Sequence, residues 1–207
     1  LIKRVKGTMA IISLLTDFGQ SDEYVGVLKG VLLGQNPNAT IVDLCHQIAP
    51  QDAVAAAWML RAAVPFFPEG TIHLAIVDPG VGTDRQIVAV KSQGHLVLAP
   101  DNGILMPALA AWPPLEIRRV ENDAWFRHPI SGTFHGRDIF APVAGRLSAG
   151  EPFETVGGSL SLEALQPLKD DSVLEISNDK IRGTVIGIDR FGNLITNISA
   201  SDLEHLS

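Results

Sequence analysis

Three short segments carry side chains whose types and spacing could do chemistry. Asp78-Pro79-Gly80-Val81-Gly82-Thr83-Asp84-Arg85 sets a carboxylate before, and a guanidinium after, a turn with two glycines in three residues. Glycines there let the backbone approach a ligand closely, and the turn can bring Asp78 and Arg85 face to face. As a phosphate cradle Gly80-Val81-Gly82 is weak, because neither the full dinucleotide fingerprint nor a P-loop lysine follows it. Thr133-Phe134-His135-Gly136-Arg137-Asp138 puts a histidine just before a helix start. An imidazole in that place can act as a base, as a ligand-orienting donor or as a bystander of the cap. Asp189-Arg190-Phe191-Gly192-Asn193 has the letters of a hairpin turn, and local chemistry leaves that use and a binding role evenly balanced.

Asp17, and Asp43 with Cys45 and His46, follow short apolar runs. An aspartate after a strand is more often a cap or turn residue than a catalyst, and His46 taken singly reads as a satisfied loop residue. Thr16-Asp17-Phe18-Gly19 shares letters with the kinase magnesium motif, but no catalytic loop or glycine-rich loop accompanies it. A metal-dependent hydrolase built on Asp17, Asp22, Asp43, His46 and His135 is a rival, since carboxylates and imidazoles suit Mg²⁺, Mn²⁺ or Zn²⁺. No two of these histidines stand one helical turn apart, so no metal is expected.

The elements that must position these groups alternate. Ile11–Leu15, Thr40–Leu44 and Thr71–Val77 are short apolar runs that predict buried strands. Between them, Tyr24, Val27, Leu28, Val31 and Leu32 recur at helical steps, and Asp52 is placed to cap a helix through Ala56 and Leu60. This rhythm predicts an α/β fold with a mostly parallel sheet and flanking helices, Rossmann-like, over residues 1–165. Ile87–Val90 and Leu96–Ala99 predict a hairpin, Leu115–Val120 a further strand, Asp101 a cap for a short helix through Leu105 and Leu109, and Asp138 the start of a helix ending near Gly150. From residue 166 to 207 the texture is all-β, with about three strands, too few to close a barrel alone. That second domain is expected to be incomplete in this chain.

In open α/β sheets ligands bind outside the carboxyl ends of the strands, which gathers Asp17, Asp43 and Asp78 on neighbouring ends. Composition narrows the rest. Hydrophobic residues form 46% of the chain and charged residues 19%, enough for a packed core. A net charge of −7 argues against a nucleic-acid partner. No apolar run reaches the ~18–20 residues a bilayer span needs, so no membrane partner is expected. A single cysteine, Cys45, forms no internal disulfide and fits a reducing cytoplasm. Leu1–Thr8 lacks a following signal-peptide cleavage pattern, and Met9 reads as a natural start.

Six segments in register resemble the S-adenosyl-L-methionine (SAM) hydroxide adenosyltransferase family, relatives of the SAM-dependent fluorinase and chlorinase. They are Leu15–Gly19 with Asp22, Tyr24, Val25 and Gly26; Asp43–Pro50; Ile76–Gly82 with Arg85; Pro100–Gly103; Thr133–Pro142; and Ile188–Ile198. The resemblance implies an N-terminal α/β domain, a C-terminal β-barrel-like domain and a homotrimer with active sites between subunits. It implies attack of water on ribose C5′ of SAM, giving adenosine and methionine, with SAM as substrate and no cofactor. Asp78, Arg85 and His135 match the set that distinguishes water-using members, whereas the halogenases have tyrosine where Asp78 and His135 stand. Gly136 falls where the fluorinase has its halide-binding serine, and Phe134 joins it in the substrate-binding set. Asp17 would accept from the ribose hydroxyls, Asp189 would contact the methionine amino group, and Phe191 and Asn193 would pack against and hydrogen-bond adenine. Gln51 and Ile195 fall where the fluorinase has tryptophans. The resemblance also implies a later Ser-Arg pair, in a part of the family pattern that these 207 residues do not reach. A non-catalytic SAM or adenosine sensor and a halogenase are the remaining alternatives.

Overall fold

The computed structural model describes residues 10–177 and 179–204. The segment before Met9, read above as preceding a natural start, lies outside the described residues. The chain divides into two compact units between Leu168 and Lys169.

The first unit is built in chain order from β1 (Ile11–Thr16), α1 (Tyr24–Gln35), β2 (Thr40–Cys45), α2 (Ala53–Ala63) and β3 (Ile72–Ile76). There follow β4 (Ile87–Ser92), β5 (His95–Pro100), α3 (Met106–Ala111), β6 (Glu116–Arg119), α4 (Ala141–Ala149) and β7 (Ser159–Leu160). The strands form one sheet in the order β2-β1-β3-β5-β4-β6-β7. β2, β1, β3 and β5 are parallel, β4 is antiparallel to both β5 and β6, and β7 is antiparallel to β6. Five of the seven strands therefore point one way, and the β4–β5 hairpin expected from the sequence is present.

Alternation along each strand feeds two cores. Ile12, Leu14, Leu74 and Ile76 face Leu28 and Leu32 of α1 and Phe140, Val143 and Leu147 of the α4 region. Leu15, Ala75, Val77, Val88 and Val97 face Ala56, Ala57 and Leu60 of α2 and Ala108 and Leu109 of α3. Period-two side chains on strands and three- to four-residue steps on helices produce this three-layer packing, each fully buried aliphatic contributing about 1.5–3 kcal/mol.

Asp52 caps α2, accepting from the Ala55 N–H at 2.9 Å. Asp101 does not cap α3. Its carboxylate accepts from the Gln166 N–H at 2.9 Å, the helix starts after Leu105, and Pro107 sits in the first turn, where no N–H is required. The helical run expected from Asp138 starts earlier, with a π-turn over Gly136–Phe140 that continues into α4 and ends at Gly150 in the left-handed region. Asp138 is fully buried inside that turn, bonded to the Ser131 N–H and to Arg137. Its side chain holds the loop before the turn instead of capping a helix.

The second unit holds two hairpins, β8 (Glu175–Ile176) with β9 (Ile181–Arg182) and β10 (Val185–Ile188) with β11 (Leu194–Thr196), followed by α5 (Ala200–Leu203). Each is a two-stranded sheet, and no closed barrel forms among the described residues.

Candidate active site

β1 and β3 are neighbours, and β2 lies beyond β1 on the other side, so the strand order reverses between them. The carboxyl ends of strands at such a reversal form the usual ligand crevice of an open sheet. Asp17 follows β1 and Asp78 follows β3.

The loop after β3 returns Arg85 onto Asp78. Arg85 Nε donates to both carboxylate oxygens at 2.9 Å, and Nη2 donates to Oδ2 as well. Side-chain exposure is 7% for Asp78 and 11% for Arg85, so this two-pronged, charge-assisted pair is screened little by solvent. Gly82 makes the arrangement possible. It stands at φ +79°, and a methyl group on it would collide with the Gly132 carbonyl oxygen. The turn glycine thus serves a backbone-to-backbone approach that brings the 78–85 loop against the segment leading to His135.

Arg85 Nη2 meets His135 Nδ1 at 2.8 Å. A guanidinium only donates, so Nδ1 is the acceptor and neutral His135 carries its proton on Nε2. Burial, and next the Arg85 charge, hold the His135 pKa below its ordinary value, while the carboxylates of Asp78 and Asp138 pull the other way. Arg85 and His135 open onto a cleft of about 420 Å³ lined also by Thr83, Asp84, Gln86 and Arg119. Arg119 donates to Gln86 at 2.9 Å. Nothing in the local pattern of Leu115–Val120 singles out Arg119, which reads as one more polar position on a strand.

Asp17 accepts from the Gln51 N–H at 2.8 Å, and Gln51 itself stands at φ +67°. Gln51 therefore meets Asp17 through its backbone. Phe134 packs edge-on against Phe18 and Tyr24, with ring centroids 5.9 and 5.0 Å away, and the Arg137 guanidinium lies 5.3 Å from its ring. Gly136 is buried beneath these rings, and a Cβ would come 3.2 Å from Phe18 and 3.3 Å from Phe134. The sequence reading had no signal for Phe18 and Tyr24 as partners of Phe134, because the cluster joins residues more than a hundred positions apart.

Asp189, Phe191 and Asn193 lie together in the second unit, at the β10–β11 turn. Asp189 Oδ1 accepts from the N–H groups of Phe191 and Asn193 at 2.8 Å, and Oδ2 accepts from the Asn193 amide at 2.6 Å. Bonding to the Asn193 side chain and backbone holds the Asp189 pKa below the ordinary carboxylate value. Phe191 is 88% exposed. The residues of the metal-hydrolase rival are engaged differently. Asp43 pairs with Lys29 and His46, and among the described residues no group of three or more histidines, cysteines and acids is arranged to hold an ion.

The profile of the SAM hydroxide adenosyltransferase N-terminal domain matches residues 12–157. The chain belongs to this family. The match spans β1 to the end of β6 and the α4 region, and so contains Asp17, Gln51, Asp78, Arg85, Phe134, His135 and Gly136. An (R)-S-adenosyl-L-methionine hydrolase from Thermus thermophilus is 41% identical over 92% of this chain and 75% of its own length. One of the same name from Salinispora tropica is 39% identical over 94% of this chain and 74% of its own. A fluorinase from Nocardia brasiliensis is more distant, 29% identical over 97% and 75%. The crystal structure of an uncharacterized conserved protein from Thermotoga maritima superimposes with a TM-score of 0.81 at 42% identity, over 90% of this chain and 71% of that one. Family membership and the α/β fold thus rest on independent comparisons of sequence and structure.

Proposed function

We propose that this chain hydrolyses S-adenosyl-L-methionine to adenosine and L-methionine. The observation that carries the reading is the continuous Asp78–Arg85–His135 contact, opening on a cleft between the loop after β3, the end of β6 and the turn before α4 of a family member. The hydrolase names of relatives near 40% identity, against 29% for a fluorinase, support water over halide as nucleophile. Those names specify the (R) sulfonium epimer, which is the epimer proposed as substrate here.

The chemistry suits a site with few groups. The C5′–S bond breaks with its electron pair going to sulfur, so the leaving group is a neutral thioether and needs no acid. The nucleophile is the difficulty, because bulk water has a pKa of about 15.7. In this proposal one water accepts from His135 Nε2–H beside the Arg85 guanidinium and turns its other lone pair on C5′, in line with the C5′–S bond. Asp78 fixes the plane of Arg85. Holding reactants in near-attack geometry supplies about 7–11 kcal/mol in favourable cases. His135 Nδ1 is committed to Arg85, and both Asp78 oxygens are engaged by the same guanidinium. In this proposal the proton released as the C5′–O bond forms passes to solvent through the open cleft.

Asp17 accepts from the ribose hydroxyls, and Gln51, Phe134 and Gly136 bound the same region. Asp189, Phe191 and Asn193 serve the methionine amino group and adenine. The reaction requires no cofactor or metal, since the sulfonium is already an activated leaving group. A homotrimer with intersubunit sites and a cytoplasmic location complete the proposal. Among the described residues no helix is long and apolar enough to cross a membrane.

The test is incubation with SAM in ¹⁸O-water, with mass spectrometry of adenosine and methionine, using separated sulfonium epimers. Labelled adenosine, lost on Asp78→Ala, supports water attack at C5′. SAM binding without turnover would favour a sensor, and a fluoride- or chloride-dependent product would favour a halogenase.

A further inference from the structure

Behind Asp17 lies a chain of polar groups, buried at Thr16 and His46 and open to solvent at Asp43 and Lys29, that the chemical step does not use. Thr16 and His46 are 0% and 1% exposed, and Thr16 Oγ1 lies 2.8 Å from His46 Nδ1. The same Oγ1 accepts from the Phe18 N–H at 3.2 Å. With Nε2 facing the Asp43 carboxylate, the imidazole proton belongs on Nε2, leaving Nδ1 to accept from the Thr16 hydroxyl. His46 Nε2 faces Asp43 Oδ1 at 3.1 Å, and Asp43 Oδ2 is 2.6 Å from Lys29 Nζ on α1. The main chain adds two ties, from the Gly19 N–H to the His46 carbonyl at 2.7 Å and from the Gln51 N–H to Asp17 Oδ2 at 2.8 Å.

A bulge sets this up. β1 and β2 pair Leu14 with Asp43 and then Leu15 with Cys45, skipping Leu44. The extra residue re-aims the end of β2, a common device beside functional sites. His46 Nδ1 is then bonded to Thr16, while Nε2, buried without a hydrogen bond, stands 3.1 Å from the Asp43 carboxylate. The turn carrying Asp17, Phe18 and Gly19 is gripped by the β2–α2 connection through side chains at Thr16 and main chain at Gly19. Phe18 in turn packs on Phe134 beside His135.

We propose that His46 is a positioning residue of the substrate site: through Thr16 and the Gly19 contact it fixes the turn that presents Asp17 and Phe18. The inference rests on the reading of Asp17 as the ribose acceptor. Substrate-orienting groups need placement to within about 0.5 Å, which the isolated turn, with one glycine at φ +71°, does not supply by itself.

The experiment compares Thr16→Val, His46→Leu and His46→Asn with Asp17→Asn, measuring KM and kcat for SAM, adenosine affinity and thermal unfolding. The expected result for Thr16→Val and His46→Leu is a KM raised about tenfold, the scale of one lost buried hydrogen bond, with kcat within about threefold. His46→Asn keeps an acceptor where Nδ1 stands and recovers most of the KM, which a merely structural role would not produce. If His46→Leu does not fold, Thr16→Val carries the test, because it removes the bond while keeping the side-chain shape. A folded Thr16→Val enzyme with wild-type KM, or failure of His46→Asn to improve on a folded His46→Leu, overturns the proposal. If Asp17→Asn raises KM and adenosine dissociation while Thr16→Val does not, positioning alone fails. If Asp17→Asn changes neither, the ribose reading itself fails and takes the positioning proposal with it.

Discussion

Arg85 donates through Nη2 to Nδ1 of His135 across 2.8 Å. This bond fixes more than a distance. It consumes the one lone pair that neutral His135 has, leaving an N–H at Nε2 for the cleft. A histidine so held can orient a nucleophile by donation, and its ring cannot take a proton at Nδ1 without giving up the arginine.

Substitution at His135 separates donor from base. The Gln side-chain amide nitrogen reaches the place of Nε2 and donates there, but it cannot accept a proton at neutral pH. His135→Ala is expected to lower kcat about 10–100-fold, the scale of one lost hydrogen bond that orients the nucleophile. His135→Gln is expected to recover most of that loss. Equal losses of about 10²–10⁴ in both variants would instead mark a general base.

The same bond sets the acid limb of the pH profile. Burial and the Arg85 charge depress the His135 pKa, against the opposing charges of Asp78 and Asp138. Protonation at Nδ1 sets a second positive charge against Arg85, so activity is lost as pH falls through the lowered value. A plot of kcat/KM against pH is expected to stay flat through about 6.5, the ordinary histidine value, and to fall only below it. An inflection at or above the ordinary value would mean that the Arg85 contact does not govern the ring.

Gly82→Ala tests how the two loops meet. At φ +79° any side chain is strained, typically by about 1–3 kcal/mol, and here it also meets the Gly132 carbonyl. The two loops must part, and Arg85 moves from His135. The expected outcome is a fall in kcat of about 10²-fold, since small misplacements are costly in such sites, with adenosine affinity little changed. A Gly82→Ala enzyme with normal kcat would show that the approach is not required for catalysis.

Much of this was legible in the sequence, for local reasons. Strand periodicity, the Asp52 cap and the β4–β5 hairpin depend on neighbours in the chain, and an Asp and an Arg flanking a glycine turn face each other almost by necessity. Asp101 and Asp138 defeat the same logic, because their partners lie elsewhere: the Gln166 N–H is sixty-five residues from Asp101, and the π-turn around Asp138 depends on the Ser131 N–H. The ring cluster of Phe18, Tyr24 and Phe134, and Arg119 at the cleft, are likewise products of tertiary packing. No periodicity encodes them.

Away from the cleft, one buried network predicts how the fold itself responds to acid. His73 on β3 is fully buried, with Nδ1 2.6 Å from Ser13 Oγ, Nε2 3.3 Å from His95 Nδ1 and its ring edge-on to Phe67. Burial, with a smaller push from His95, lowers its pKa to about 3. In the unfolded chain the same group titrates near 6.5. Above that value neither state binds the proton, so His73 adds no pH dependence. Between about 6.5 and 3 the unfolded state takes a proton that the folded state refuses, and stability falls with acidification by up to about 1.4 kcal/mol per pH unit. Urea unfolding from pH 8 to 4 is expected to show this decline in the wild-type chain, and His73→Leu to flatten it even if its stability at pH 8 is lower. Parallel profiles for the two proteins would show that His73 accepts its proton without unfolding.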